Sequence, residues 1–162
     1  MLFGMSVQVP KPVIVCIGTP KVEGDSLGPR VGDLLVDRYK IDAYVYGRTT
    51  SPVTGVNCGE YFSHVRVRHA HSLVVAVDAC LGKPVDVGKI KYVTAGLRAG
   101  SALGKQLGVF GDVGFLGVVG ASGPDNLASL SRVRREDVDL LSVKIAYKIH
   151  NLIEHLRLTY IF

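Results

Sequence analysis

The run Val13-Ile14-Val15-Cys16-Ile17 is continuous, apolar and mostly β-branched. A run of this kind suits a strand buried on both faces of a parallel sheet. A polar loop follows, Gly18-Thr19-Pro20-Lys21-Val22-Glu23-Gly24-Asp25-Ser26, with a glycine near each end. From Leu27 the apolar positions fall at 27, 31, 34 and 35, one face of a helix expected to run to about residue 38. Strand, loop and helix in that order predict a parallel sheet whose faces are covered by helices. Asp25 stands where the strand has ended and the helix is about to begin. In an open α/β sheet, that edge is where ligands and substrates are handled.

The rest of the chain repeats the pattern. A short second strand is expected over 43–47, a turn over 48–52 and a second helix over 56–70. Ser72-Leu73-Val74-Val75-Ala76-Val77-Asp78 reads as a third strand, the most buried of all, ending at Asp78. Residues 90–95 and 114–120 read as two more strands. Between them lies a glycine-rich loop with glycines at 96, 100, 104 and 108. Val138, Leu141, Ile145, Ile149, Leu152, Ile153 and Leu156 mark a long amphipathic helix, with Glu136 and Asp137 suited to its first turn. The predicted architecture is a three-layer α/β/α sandwich with a mostly parallel sheet. It forms one domain over residues 1–162, with its core at about 12–157. Right-handed crossovers from the first strand can place the second and third strands on its two sides. Asp25 and Asp78 then reach one crevice beyond the carboxyl ends of neighbouring strands.

Composition narrows the function classes. With 48% hydrophobic and 20% charged residues in 162, the chain can bury a sizeable core and does not read as disordered. No apolar run approaches the roughly 20 residues that cross a bilayer, so no membrane partner is expected. Residues 1–10 lack a basic region followed by an apolar stretch, so no signal peptide is expected. Cys16, Cys58 and Cys80 form no CxxC pair, which points to a reducing, cytoplasmic compartment. The formal charge of +5 is scattered apart from Arg132-Val133-Arg134-Arg135, so nucleic acid is not the expected partner.

Two carboxylates in one crevice can work as an acid/base pair, one held protonated while the other activates water. Each also has an ordinary reading: Asp25 as a helix cap before Pro29, and Asp78 as a turn residue bonding backbone amides. Other candidates are weaker. Residues 99–105 resemble a phosphate loop but carry Ala99 where the first glycine belongs and Gln106 where serine or threonine belongs. Cys80 could act as a nucleophile, but no histidine falls in an obvious partner loop, and a buried structural cysteine is the simpler reading. His64, His69 and His71 could ligate metal or simply mark a solvated helix end. Ser101 has no recognisable base.

Gly18, then Gly24-Asp25-Ser26-Leu27-Gly28-Pro29, then Val77-Asp78-Ala79, then Gly96-Leu97-Arg98-Ala99-Gly100-Ser101-Ala102-Leu103-Gly104 form a series that resembles the motifs of the bacterial spore germination protease. From about residue 12 to 156 the chain resembles the shorter YyaC family of sporulation proteins, which are spore protease-like. Strand-loop-acid and strand-Asp are shared more distantly with the hydrogenase maturation endopeptidases. The resemblance implies a fold of the phosphorylase/hydrolase type, with Asp25 and Asp78 at the positions of the germination protease's two catalytic aspartates. Arg98 stands where those relatives carry a histidine, which in the hydrogenase endopeptidases is the third nickel ligand. Two carboxylates and a guanidinium make a poor nickel site, so neither a metal nor another cofactor is expected. Arg98 is instead a candidate for stabilising an oxyanion or orienting a carboxylate, beside its plain reading as a surface arginine.

These residues together predict an aspartic-type peptidase or related hydrolase acting on a protein or peptide, by analogy a small spore protein. Asp78 would be the base, Asp25 the acid and Arg98 an auxiliary group. Homo-oligomerisation is left open. A cytoplasmic location is expected, the forespore or spore core included. Two other readings stand beside it: a catalytically silent sporulation protein that binds a partner, and a metal-dependent maturation peptidase. The loop 96–108 is expected to close over the carboxylates as a lid carrying Arg98, provided the strand before it runs parallel to the others.

Overall fold

The computed structural model describes residues 8–99 and 108–160. Strand β1 (Val13–Cys16) is buried along its whole length. It pairs in parallel with β2 (Tyr44–Tyr46) on one side and with β3 (Val74–Gly82) on the other. Beyond β3 the sheet continues with β7 (Val113–Ala121), also parallel, and ends at β4 (Ile90–Val93), giving the order β2-β1-β3-β7-β4. A separate two-stranded ribbon joins β5 (Leu97–Arg98) to β6 (Val109–Phe110).

Alternation along the strands sorts the core into two layers. Ile14, Cys16, Val75, Val77, Ala79, Phe115 and Val119 face α1 (Leu27–Asp33) and the long α4 (Arg135–Thr159), which contributes Val138, Leu141, Ile145, Ile149 and Ile153. Val13, Val15, Ile17 and Ala76 face the opposite way, toward α2 (Cys58–Arg68) and the β5–β6 ribbon, where Phe62 stacks on Phe110 at 3.9 Å. The sheet is mostly parallel and is covered on both faces, as expected, although part of the second face is covered by a ribbon rather than a helix. Among the described residues no helix is long and apolar enough to cross a membrane.

Four features differ from the sequence expectations. Strand β4 runs antiparallel to β7. Residues 83–89, with one turn of 3-10 helix at Pro84–Asp86 and a left-handed Gly88, are too few for the crossover that a parallel neighbour needs. The chain therefore leaves β4 at the edge where the parallel strands begin, not at the edge of the aspartates. Strand β3 does not end at Asp78; it continues through Cys80, after which the ladder with β7 shifts register, to Gly82. Helix one ends in a π turn (Leu34–Arg38) closed by left-handed Lys40, φ +47°, a conformation that stops a helix. A short helix α3 (Asn126–Ser131), capped by Asp125 accepting from the Ala128 N–H at 3.0 Å, was not expected.

Candidate active site

The site is built at the carboxyl end of β1. The Ile17 N–H donates to the Val77 carbonyl at 2.7 Å, and the Gly18 N–H donates to the Val53 carbonyl at 2.8 Å. Because Cys16 pairs with Val77, Ile17 stands level with Asp78. Just past Ile17 the chain turns at Gly18, φ +144°, where an added Cβ would lie 2.0 Å from the Asp25 carbonyl oxygen. Only a glycine allows that approach in that conformation. The Thr19 N–H donates both to this carbonyl, at 3.1 Å, and to Asp25 Oδ2, at 3.0 Å. The loop 18–25 is thus cinched shut, and Asp25 is held against the end of β1.

The turn that carries Asp25 (3-10, Gly24–Ser26) is braced from behind. The Ser26 hydroxyl donates to the Glu23 carbonyl at 2.6 Å. Arg30 forms ion pairs with the Glu23 carboxylate and with Asp139 of α4, the second at 2.6 Å. Gly24 packs on α3, since a Cβ there would meet the Leu130 carbonyl at 2.8 Å. Gly28 lets α1 press on β1, its missing Cβ falling 2.1 Å from the Ile17 carbonyl. Asp25 does not cap helix α1: its carboxylate turns back to the loop, and the N-cap position is Ser26, which makes no side-chain cap bond. The bracing by Glu23, Arg30 and α3 was missed in the sequence. Asp139 is 109 residues from Arg30, too far apart for spacing to pair them, and Glu23, seven residues away, lies in a loop whose path spacing does not give.

Asp78 is 2% exposed, and its Oδ1 accepts from the Ala79 N–H at 2.9 Å. Its partner across the ladder is Leu116 of β7, so it shares the sheet face of Ala76 and Ile17. It is an interior residue of β3, placed at an edge because β1 has already ended beside it. The strand order turns at this point, since β1 leads out to β2 on one side and β3 lies on the other. Open α/β sheets bind ligands where the order reverses in this way.

The structure does not gather every sequence candidate here. Arg98 is exposed, flanked by buried Leu97 and Ala99 on the ribbon that follows antiparallel β4. Ser101 and residues 100–107 of the expected lid lie outside the described residues. Cys80 is buried beside Asp78. Burial raises its thiol pKa, Lys91 opposes that shift and Asp78 adds to it. The imidazoles of His64 and His69 both reach Tyr46 of β2, their Nε2 atoms 3.3 and 2.9 Å from its hydroxyl. His71 is exposed. Among the described residues no three His, Cys, Asp or Glu side chains converge on one point. Two aspartates with an exposed guanidinium at the third motif position do not make a nickel site, because nickel favours imidazole.

The architecture is a mostly parallel α/β/α sandwich. It superposes on a peptidyl-tRNA hydrolase from Acinetobacter baumannii with a TM-score of 0.61 at 12% identity, covering 92% of this chain and 89% of that one. The likeness extends to two [NiFe] hydrogenase maturation proteases from Thermococcus kodakarensis. HycI has a TM-score of 0.55 at 16% identity, covering 89% of this chain and 92% of its own. HybD has a TM-score of 0.52 at 11%, covering 89% and 99%. The chain belongs to the family described as "Protein of unknown function (DUF1256)", whose profile matches residues 2–148. It is a YyaC-family protein: the "Uncharacterized protein YyaC" of Bacillus subtilis (strain 168) is 39% identical over 111 residues, 68% of this chain. The match spans 54% of that relative's length.

Proposed function

We propose that this protein is a peptide hydrolase in which Asp78 activates water and Asp25 protonates the leaving amine. The observation that carries the reading is the placement of Asp25 and Asp78 around the end of β1, at the reversal of strand order. Ile17 stands level with Asp78, and the Asp25 carbonyl rests on Gly18. Two carboxylates that face one crevice resist carrying two charges together, so one can hold a proton while the other is ionised. Such a pair can therefore divide the roles of acid and base. Water attacks the scissile carbonyl as its proton passes to Asp78. The tetrahedral intermediate collapses when Asp25 delivers a proton to the nitrogen, and the C–N bond breaks. Proteins of the same fold include two proteases and a hydrolase by their names, which supports bond hydrolysis as the class of reaction. A small spore protein is the proposed substrate, through kinship with YyaC.

A second reading is favoured by one observation: Asp78 is almost wholly buried, as suits a residue that holds the fold of a silent, partner-binding protein. One pair of measurements separates the two. Purified protein is incubated with a proteome-derived peptide mixture and with small spore proteins, and cleavage is followed by mass spectrometry. Asp78→Asn is tested alongside and its thermal unfolding recorded. The hydrolase reading expects cleavage that Asp78→Asn abolishes with Tm unchanged or raised, since function is often kept at some cost in stability. Absence of cleavage, with Asp78→Asn losing more than roughly 2 kcal/mol as when a buried hydrogen-bonding group is broken, would instead establish the silent protein.

A further inference from the structure

The sheet row that carries Asp78 does not stop at Leu116. Leu116 is paired in turn with Lys91 of the edge strand β4. Directly opposed residues project to the same face of a sheet, so Lys91 shares the face of Asp78, two strand spacings or about 10 Å away. Its side chain leans inward over the sheet. The ammonium lies 3.7 Å from where a Cβ on Gly82 would stand, at the far end of β3 beyond Asp78. Gly82 carries no side chain, which leaves the ammonium room on that face. Cys80, between Asp78 and Gly82 on β3, feels both groups: the Lys91 charge lowers its thiol pKa and the Asp78 charge raises it, against the larger upward push of burial. Asp86 stands on the same side of Gly82, its carboxyl pKa lowered by Lys89, which bonds it at 2.9 Å, and further by the Lys91 charge. Lys89 thus holds that carboxylate, while Lys91 faces it without a bond of its own to it.

We propose that Lys91 is a substrate-positioning residue of the Asp78 site, its ammonium taking a carboxylate of a peptide laid across β7. This rests on the peptide-hydrolase reading of that site. An ammonium offers three donors and no acceptor, so it seeks oxygen. On an exposed edge strand, only a full negative charge competes well with water for it. The preferred substrate then carries an acidic side chain, or a free carboxyl terminus, a short distance from the scissile bond. The antiparallel course of β4 makes this possible. It brings residue 91 alongside Leu116, and no pattern in the sequence reveals that register.

The test uses the full chain and three fluorescein-labelled peptides of otherwise equal sequence. One is capped at both ends with an internal glutamate, one is capped with glutamine in its place, and one carries glutamine and a free carboxyl terminus. Equilibrium anisotropy is measured for the wild type, Lys91→Gln and, as a control for charge alone, Lys144→Gln on the exposed side of α4. A carboxylate-bearing peptide is expected to bind about fivefold tighter than the fully capped glutamine peptide, the scale of a water-exposed ion pair. Lys91→Gln should erase that preference, and Lys144→Gln should keep it. Whichever charged peptide shows the gain identifies the source of the carboxylate. Equal binding of all three, binding of none, or a preference that survives Lys91→Gln overturns the inference. Mass spectrometry of the same mixtures reads cleavage separately. Charge-selective binding without cleavage removes the hydrolase reading and leaves the carboxylate site standing, and cleavage without selectivity does the reverse.

Discussion

Asp25 and Asp78 show how little a residue's own type decides its role. Asp25 belongs to a loop closed by one N–H, that of Thr19, shared between its carbonyl and its carboxylate. Asp78 belongs to a strand, with Oδ1 on the Ala79 N–H. His69 makes the same point by titration. Burial lowers its pKa from the ordinary 6.5, and the charges of His64 and Arg68 lower it further, so the fold favours the neutral ring. Its stabilising effect is complete above pH 6.5 and is lost as the pH falls through the lowered folded value, because the unfolded chain takes up the proton first. Thermal unfolding from pH 8 to 5 should therefore show a fall in Tm below about 6.5, the ordinary value of histidine. That fall should be shallower in His69→Phe, whereas equal slopes in the two proteins would contradict a lowered pKa at His69.

Among the elements, those whose residues carry their own reason were legible. β1 is as buried as its four apolar residues require, and the period of Val138, Leu141, Ile145 and Ile149 marks the inner face of α4. Strand direction was not legible, because the alternation of residues 90–93 reads the same either way. The shortness of the 83–89 connection was the one available signal for it. The end of β3 was misread for a similar reason: an aspartate after an apolar run looks like an ending, yet the ladder to β7 carries on through small Ala79 and Cys80. Close approach is also hidden in sequence. Gly117 of β7 faces α1 and α4, and a Cβ there would lie 2.3 Å from Leu27 Cδ2 and 2.9 Å from Leu141 Cδ2. Gly117→Ala should cost about 1–3 kcal/mol, the usual effect of overfilling a packed interior. Chemical denaturation measures it, and an unchanged midpoint would show that α1 and α4 can move apart freely.

For the molecule as a whole, the class of fold could be read from strands alternating with helices, and the position of the candidate site was inferred from that class. The ordering β2-β1-β3 puts the reversal of the sheet beside Ile17, Gly18 and Asp78, and the glycines at 18, 24 and 28 let the Asp25 turn, α3 and α1 close around it. What stayed hidden were contacts between residues remote in the chain: Arg30 with Asp139, Leu130 behind Gly24, and Lys91 in the row of Asp78. Arg98 was placed by motif position, and the ribbon that carries it leaves from the opposite edge of the sheet to the one expected. Two groups that act on one water and one leaving nitrogen function as a unit, so their losses do not multiply. The decisive measurement is the cleavage rate of one identified peptide by Asp25→Asn, Asp78→Asn and the double variant, with folding checked by circular dichroism. The paired mechanism predicts that each single substitution abolishes nearly all turnover and that the double variant is no slower than the slower single. A substantial rate in either single variant, or a double variant slowed by the product of the two separate effects, would contradict it.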